Sequence, residues 1–266
     1  MVATPLPDSR TEPDGSAVTR VLCYNIRSMR DDREALARVI GACAPDLVLI
    51  QEAPRFFRWR KRAAWLAART GLIVLGGGAT ASGQLLLCSL RAGVERTEDL
   101  LLPLTPGLHR RGLATSVVRI AGTRIGLLSF HLSLRSDERL AQAGMVLEQL
   151  DAMGVEHAVV AGDLNEVPAG AAFRRLAGRL QDCRAVRPWG DENTFPSDRP
   201  RRRLDAVFVT EGIDVLGCGV PTGLPGIVDA DLRAASDHLP VLAALRVPAI
   251  LADRPTDTPE PGPPTP

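Results

Sequence analysis

The chain has 266 residues, 45% hydrophobic and 24% charged, enough for one large domain with a real core. Its formal net charge is +1, so no whole-molecule field draws in nucleic acid, and polyanion binding has to come from local patches. No run approaches about 18 consecutive apolar residues and Met1–Ala17 holds no apolar stretch, so neither a membrane span nor a signal peptide is expected.

Residues 1–18 are polar with three prolines and read as a disordered N-terminal arm. Thr19–Asn25 reads as a strand. Asp31–Cys43 carries Leu36, Val39 and Ile40 at helical spacing with acids in its first turn, so a helix is predicted, broken by Pro45. Asp46–Glu52 is an apolar strand ending on a carboxylate, and Phe56–Arg69 a helix with arginines on its wet face. Strands follow at Leu72–Leu75, Gln84–Leu90, Leu113–Ile120 and Thr123–His131, the last two joined by Ala121-Gly122. The clearest helix is Ser136–Ala152, where Leu140, Ala143, Val146, Leu147 and Leu150 trace one face. Then come a strand at His157–Ala161, a short helix near Ala171–Leu180, and strands at Leu204–Thr210, Val215–Val220 and Pro240–Val247. Residues 248–266 hold seven prolines in 19 positions and no aromatic residue, which predicts a disordered tail. One domain over residues 19–247 remains, with two mixed sheets packed face to face and helices outside.

Two distant segments end in the same kind of chemistry. Val159–Asn165 is an apolar strand running into an Asp-x-Asn turn, and Ala235–Val241 sets an Asp-His pair just before another apolar strand. Glu52 adds a carboxylate at the end of a third. Hard oxygens and histidines on a rigid frame suit a divalent cation and in-line attack on a phosphate ester. Each piece alone has a plainer reading. Asp163-Leu164-Asn165 is a common Asx turn, Asn25 a strand-end turn former, and Asp237-His238 a capping acid beside a half-buried ring.

Taken together, the motifs resemble the endonuclease/exonuclease/phosphatase superfamily, the deoxyribonuclease-I-like fold. The likeness covers about residues 19–247. It rests on Asn25 in Cys-Tyr-Asn-Ile, Gln51-Glu52, His131-Leu132, Gly162-Asp163-Leu164-Asn165, Arg203-Leu204-Asp205 and Ser236-Asp237-His238, six motifs in the family's order. The resemblance implies an α/β four-layer α-β-β-α sandwich with the site at one end of the sheets. It also implies hydrolysis of phosphodiesters or phosphomonoesters dependent on a divalent metal, generally magnesium with manganese as an alternative.

On that resemblance, Glu52 holds the metal, with Asn25 in the metal shell or on a phosphate oxygen and Asp237 completing the metal site. Asp163 orients or deprotonates the attacking water. Asn165 donates to the phosphoryl oxygen or orients Asp163. His238 contacts the phosphate opposite the metal, with Asp205 on the other ring nitrogen favouring the cationic form. His131 stands on the leaving-group side as acid or electrostatic stabiliser, in contact with substrate phosphate.

Other residues carry weaker signals. His157 is expected in solvent, and His109 in a loop that could face substrate. Arg139 and Gln142 read as structural, Arg139 as a buried brace or a surface ion pair. Arg199, Arg201, Arg202 and Arg203 lead into Asp205, while Arg55, Arg58, Arg60, Lys61 and Arg62 decorate a helix where a solvated face is the simpler reading. Trp59, Trp65 and Trp189 could stack on bases, though helix packing explains Trp65 equally well. Lys61 is the only lysine, an arginine bias that fits a GC-rich coding sequence. Five scattered cysteines (Cys23, Cys43, Cys88, Cys183, Cys218) point to reduced thiols and a cytoplasmic setting. A monomeric phosphoesterase, with a nuclease as the leading form, is expected. A phosphatase or phosphodiesterase on a small-molecule or lipid phosphate such as an inositol phosphate or sphingomyelin is the alternative, and an inactive binding module the reading of another class.

Overall fold

The computed structural model describes residues 5–249. In chain order the strands are β1 (Arg10–Thr11), β2 (Ala17–Asn25), β3 (Leu47–Gln51), β4 (Ile73–Gly78), β5 (Gln84–Cys88), β6 (Ala92–Leu101), β7 (Gly112–Ile120), β8 (Thr123–His131), β9 (Ala158–Asp163), β10 (Gln181–Asp182), β11 (Asp205–Val209), β12 (Asp214–Gly219) and β13 (Val241–Val247). The helices are α1 (Arg33–Cys43), α2 (Trp59–Thr70), α3 (Ser136–Met153), α4 (Ala171–Ala177), α5 (Cys183–Val186) and α6 (Asp229–Ala235). One sheet runs β12-β13-β2-β3-β5-β4, with β1 also paired to β2, and the other runs β10-β11-β9-β8-β7-β6.

Three apolar layers hold these elements together. One lies between the first sheet and α1, α2 and α6, and includes Leu22, Tyr24, Leu36, Ile40, Ile50 and Leu66. A second fills the space between the sheets with side chains such as Val21, Leu49, Leu86, Leu127, Val159 and Val207. The third seals the outer face of the second sheet beneath α3 and α4. The result is the expected four-layer α-β-β-α sandwich. Strands buried on both faces explain why β2, β3, β5 and β9 lack polar alternation.

Each sheet is built around one parallel pair. β2 and β3 are parallel and joined through α1, with Asn25 opposite Gln51. β8 and β9 are parallel and joined through α3, with His131 opposite Asp163. A parallel pair points both strand ends the same way, so the candidate residues emerge at one end of the sandwich. Buried polar groups lock the sheets to each other just behind that end. Gln51 Nε2 donates to Ser129 Oγ (3.1 Å), and Ser129 Oγ donates to Gln84 Oε1 (3.2 Å).

Local chemistry explains most boundaries. Asp32 caps α1, accepting from the Glu34 and Ala35 amides at 2.9 and 3.0 Å, so the helix begins two residues later than expected. α2 starts at Trp59 rather than Phe56, after Arg58 in a left-handed conformation. Strand β6 was not expected because it is an exposed edge strand whose sequence, Ala-Gly-Val-Glu-Arg-Thr-Glu-Asp-Leu-Leu, lacks an apolar face. The short elements α5, α6, β1 and β10 were also not expected. The expected loose arm is corrected over its described part, because β1 pairs with the start of β2 and Leu6 is buried in the core. The predicted tail lies outside the described residues from 250 onward. All five cysteines are free and buried. Among the described residues no helix is long and apolar enough to cross a membrane.

The glycine of Gly162-Asp163 has a steric reason. A Cβ there would fall 2.0 Å from the Phe130 carbonyl oxygen, inside the β8–β9 pair. Gly162→Ala is therefore predicted to cost about 2 kcal/mol or more in urea unfolding. Gly41→Ala, on an exposed turn of α1 where a Cβ meets nothing within 4 Å, should instead stabilise by about 0.5–1 kcal/mol.

Candidate active site

At the strand ends a crevice of about 340 Å³ is lined by Glu52, His131, Asp163, Asn165 and His238, with Arg30, Arg55, His109 and Arg111 among its other walls. Two larger recesses lack this convergence of carboxylates and imidazoles. Asp163 sits at its centre and is 1% exposed. Its Oδ1 accepts from the Asn165 amide (2.8 Å) and its Oδ2 from Asn25 Nδ2 (3.0 Å). His131 Nε2 lies 3.4 Å and His238 Nε2 3.7 Å from the same Oδ2.

Asn25 is oriented by three contacts. Its Oδ1 accepts from the Arg27 amide (3.1 Å), which turns its NH₂ toward Asp163 and toward Glu52 Oε1 (3.3 Å). In this orientation Asn25 spaces two carboxylates that would otherwise repel, and its amide oxygen faces away from them. The backbone of Glu52 has φ 52° and that of Asn165 φ 52°, left-handed values that turn each chain sharply out of its strand.

The two histidines are electrostatic opposites. His238 Nδ1 donates to Asp205 Oδ2 at 2.8 Å, and Asp205 is fully buried opposite Asp163 in the β11–β9 register. Burial pulls the His238 pKa down, but Asp205, Asp163 and Asp237 outweigh it and hold the ring protonated up to about 10. The ring packs at a tilt against Phe195 (4.8 Å between centroids), over which Arg202 also lies (5.0 Å). His131 is pushed down to about 3, first by burial and then by Arg111, His238 and Arg55, with Asp163 opposing. Asn165 Nδ2 donates to the Leu132 carbonyl (3.0 Å), and the same nitrogen lies 2.9 Å from His131 Nε2. Nε2 is thus the acceptor and the ring proton sits on Nδ1, 3.9 Å from Glu52 Oε1. Burial thus holds the His131 ring neutral in the absence of substrate.

Glu52 is the carboxylate that fits a hard cation. Its side chain is 40% exposed and, among the described residues, is met by Asn25 Nδ2 (3.3 Å) and the neutral His131. Asp163, Asp205 and His238 also bring ligand atoms within 4.8 Å of one another. There, however, the imidazole and Asp205 are bound to each other, and a ring proton held to about pH 10 competes with any metal. Among the described residues the buried Asp205 Oδ1 has no hydrogen-bond partner. Asp237 stands apart: it is not among the crevice walls, and its Oδ2 lies 3.4 Å from Arg27 Nε.

Several neighbours change character in the structure. Arg139 and Gln142 brace loops. Arg139 reaches Glu166 Oε1 (3.2 Å) and the Ser133 and Leu134 carbonyls (2.9 Å each), while Glu166 Oε2 accepts from the first amides of α4. Gln142 Oε1 accepts from the Ser133 amide (2.8 Å). The loops after His131 and after Asn165 are thereby tied to each other. His157, expected in solvent, is buried at the opposite end of β9, and a side chain on Gly212 would meet its ring. Of the Arg199–Arg203 cluster, Arg203 is buried in an ion pair with Asp182 and the others lie outside the crevice wall. Arg111 was missed by sequence reading, although it lies two residues after His109, just before β7. Burial draws its pKa down while Asp163 and Glu52 hold it up, and among the described residues it forms no ion pair.

Opposite shifts predict opposite pH limbs in metal-free protein. His131 is neutral when folded and titrates near 6.5 when unfolded, so the native state loses stability as pH falls from about 6.5 toward 3. His238 stabilises fully below about 6.5 and loses that contribution as pH rises toward about 10. Urea unfolding of His131→Gln against wild type should converge on acidification, and the wild-type advantage over His238→Gln should shrink as pH rises above 7.

No curated protein sequence matches this chain. Solved structures do. A protein of the endonuclease/exonuclease/phosphatase family from Bacteroides vulgatus superposes with a TM-score of 0.72 at 20% identity, over 86% of this chain and 99% of that one. The Bacteroides thetaiotaomicron mannosyl-6-phosphatase Bt3783 does so with a TM-score of 0.72 at 18% identity, over 85% and 99%. D. rerio TDP2 complexed with single strand DNA product gives 0.65 at 17% identity, over 86% and 98%. At these identities the likeness is one of fold. The family model described as Endonuclease/Exonuclease/phosphatase family matches residues 22–238 in sequence, from the strand that delivers Asn25 to His238 itself, and the chain belongs to that family.

Proposed function

We propose that this member of a family of phosphoric ester hydrolases is a divalent-metal-dependent phosphodiesterase whose substrate is a nucleic acid. The observation that carries the reading is the division of the crevice into an acidic floor, Glu52 and Asp163, and a basic wall, Arg30, Arg55 and Arg111. The floor suits a cation and a water. The wall supplies more positive charge than one phosphate needs, which favours a substrate with several.

Each residue has a part. Asp163 accepts a proton from the attacking water through Oδ2, held in place by Asn25. Asn165 is fixed by Leu132 and His131, keeping an amide beside the reacting centre. His238, as imidazolium, offers its Nε2–H to a phosphoryl oxygen while Asp205 holds Nδ1. Arg111 adds a second cation on the far wall. A magnesium or manganese ion held by Glu52 would neutralise charge developing on the phosphoryl group. His131 orients Asn165 and presents its Nδ1–H toward Glu52.

Magnesium-dependent hydrolysis of bis-p-nitrophenyl phosphate tests the reaction. Asp163→Asn and His238→Gln should each lower kcat by about 10³ or more. Equal turnover in EDTA would falsify the metal assignment. Glu52→Gln should raise the magnesium concentration for half-maximal rate by about tenfold or more, read by activity and by calorimetric titration of the ion. The second reading, a phosphatase on a small phosphate, is favoured by the near-neutral net charge of +1. It predicts faster turnover of p-nitrophenyl phosphate and sugar phosphates than of DNA or RNA.

A further inference from the structure

Beside the crevice rises a surface that the hydrolytic step does not use. Phe56 and Phe57 are 76% and 79% exposed, side by side at the tip leading into α2. Two adjacent phenylalanines in water are unfavourable unless something covers them. Around them stand Arg55, Arg58, Arg60, Lys61 and Arg62, and no acidic residue occurs in the sequence between Glu52 and Glu95. Among the described residues none of these five cations forms an ion pair. Nearby Arg38 and Arg69, by contrast, are each neutralised by an acid.

The geometry matches a stacking platform. Arg55 lies over Phe56 (5.3 Å), Arg58 over Phe57 (5.0 Å) and Arg60 over Trp59 (4.4 Å). Trp59 is seated by Gly78, where any Cβ would fall 2.2 Å from its ring, so the start of α2 is anchored on β4. Past Phe57 opens a groove of about 490 Å³ walled by Met29, Arg58, Lys61, Arg62 and Trp65. Groove and crevice share one rim. Phe56 lines the crevice and Phe57 the groove, and Met29 in the groove lies between Ser28 and Arg30 of the crevice.

We propose that this ridge and groove hold a single-stranded stretch of nucleic acid adjoining the scissile phosphate, an inference that rests on the nucleic-acid reading above. Bases stack on Phe56 and Phe57, and the backbone runs along Arg58, Lys61 and Arg62. Exposed ring faces serve a strand whose bases are already unstacked; a duplex hides those faces. A membrane fits less well. Burying these rings in acyl chains would carry the guanidinium groups above them out of water, and the groove between Met29 and Trp65 is concave.

The test uses the full chain with Asp163→Asn to stop cleavage, and fluorescence anisotropy of a labelled oligo-dT strand of about 20 nucleotides. Phe57→Ala should weaken strand binding at least about fivefold. Lys61→Ala/Arg62→Ala should lower the slope of log affinity against log salt by roughly 1.4. The matching duplex should bind more weakly and respond less to Phe57→Ala. In chains that keep Asp163, the same substitutions should leave bis-p-nitrophenyl phosphate turnover unchanged. Strand affinity indifferent to both variants overturns the proposal, as does ridge-dependent binding to phosphatidylserine vesicles without strand binding. If the small diester is not turned over at all, the hydrolase reading falls. If it is turned over while strand affinity ignores the ridge, only this inference falls.

Discussion

A carboxylate buried between two sheets is the constraint around which the site is arranged. Asp163 is almost sealed from water, and a charge there has to be met by oriented donors. Those donors come from both sheets: Asn25 from β2, the Asn165 amide from the turn after β9, and the His238 ring from the segment before β13. No single element could supply them. The sandwich therefore has to form before the carboxylate is satisfied, and the pairing of Gln51 with Ser129 sets how far one sheet can slide over the other.

The same constraint explains the contrast between the two histidines. Both rings are buried and both approach Asp163 Oδ2. They differ in the far nitrogen. His238 places Nδ1 2.8 Å from the buried Asp205, which holds a proton there, whereas His131 Nδ1 lies 3.9 Å from the partly exposed Glu52, and burial, reinforced by Arg111, His238 and Arg55, keeps that ring neutral. One residue type thus supplies a fixed positive charge on one side of the crevice and a neutral dipole on the other.

The strand ends were readable because parallel β-α-β pairing forces them together. A carboxylate, amide or imidazole closing an apolar strand such as Asp46–Glu52 or Val159–Asp163 has to lie at the rim of a sheet. What pairing cannot reveal is which way a side chain turns once past the strand. Asn25 reads as a ligand by position, yet its NH₂ faces the carboxylates because the Arg27 amide takes its oxygen. Asp237 sits beside His238 in sequence but faces Arg27. Arg111 and β6 left no trace for a related reason: one is a loop cation whose burial depends on distant strands, the other an edge strand with little apolar pattern. His157 read as wet because its burial comes from the chain near Gly212, far along the sequence.

Glu52 and Asn165 both turn out of their strands with positive φ, a region where glycine would be more at ease. Neither has been given up for glycine, although each change would relax the main chain. At these two corners, conformational comfort and chemical usefulness pull against each other. Glycine there would ease the main chain but forfeit the bonds from Asn165 to Leu132 and from Asn25 to Glu52, along with the side chains that face the crevice.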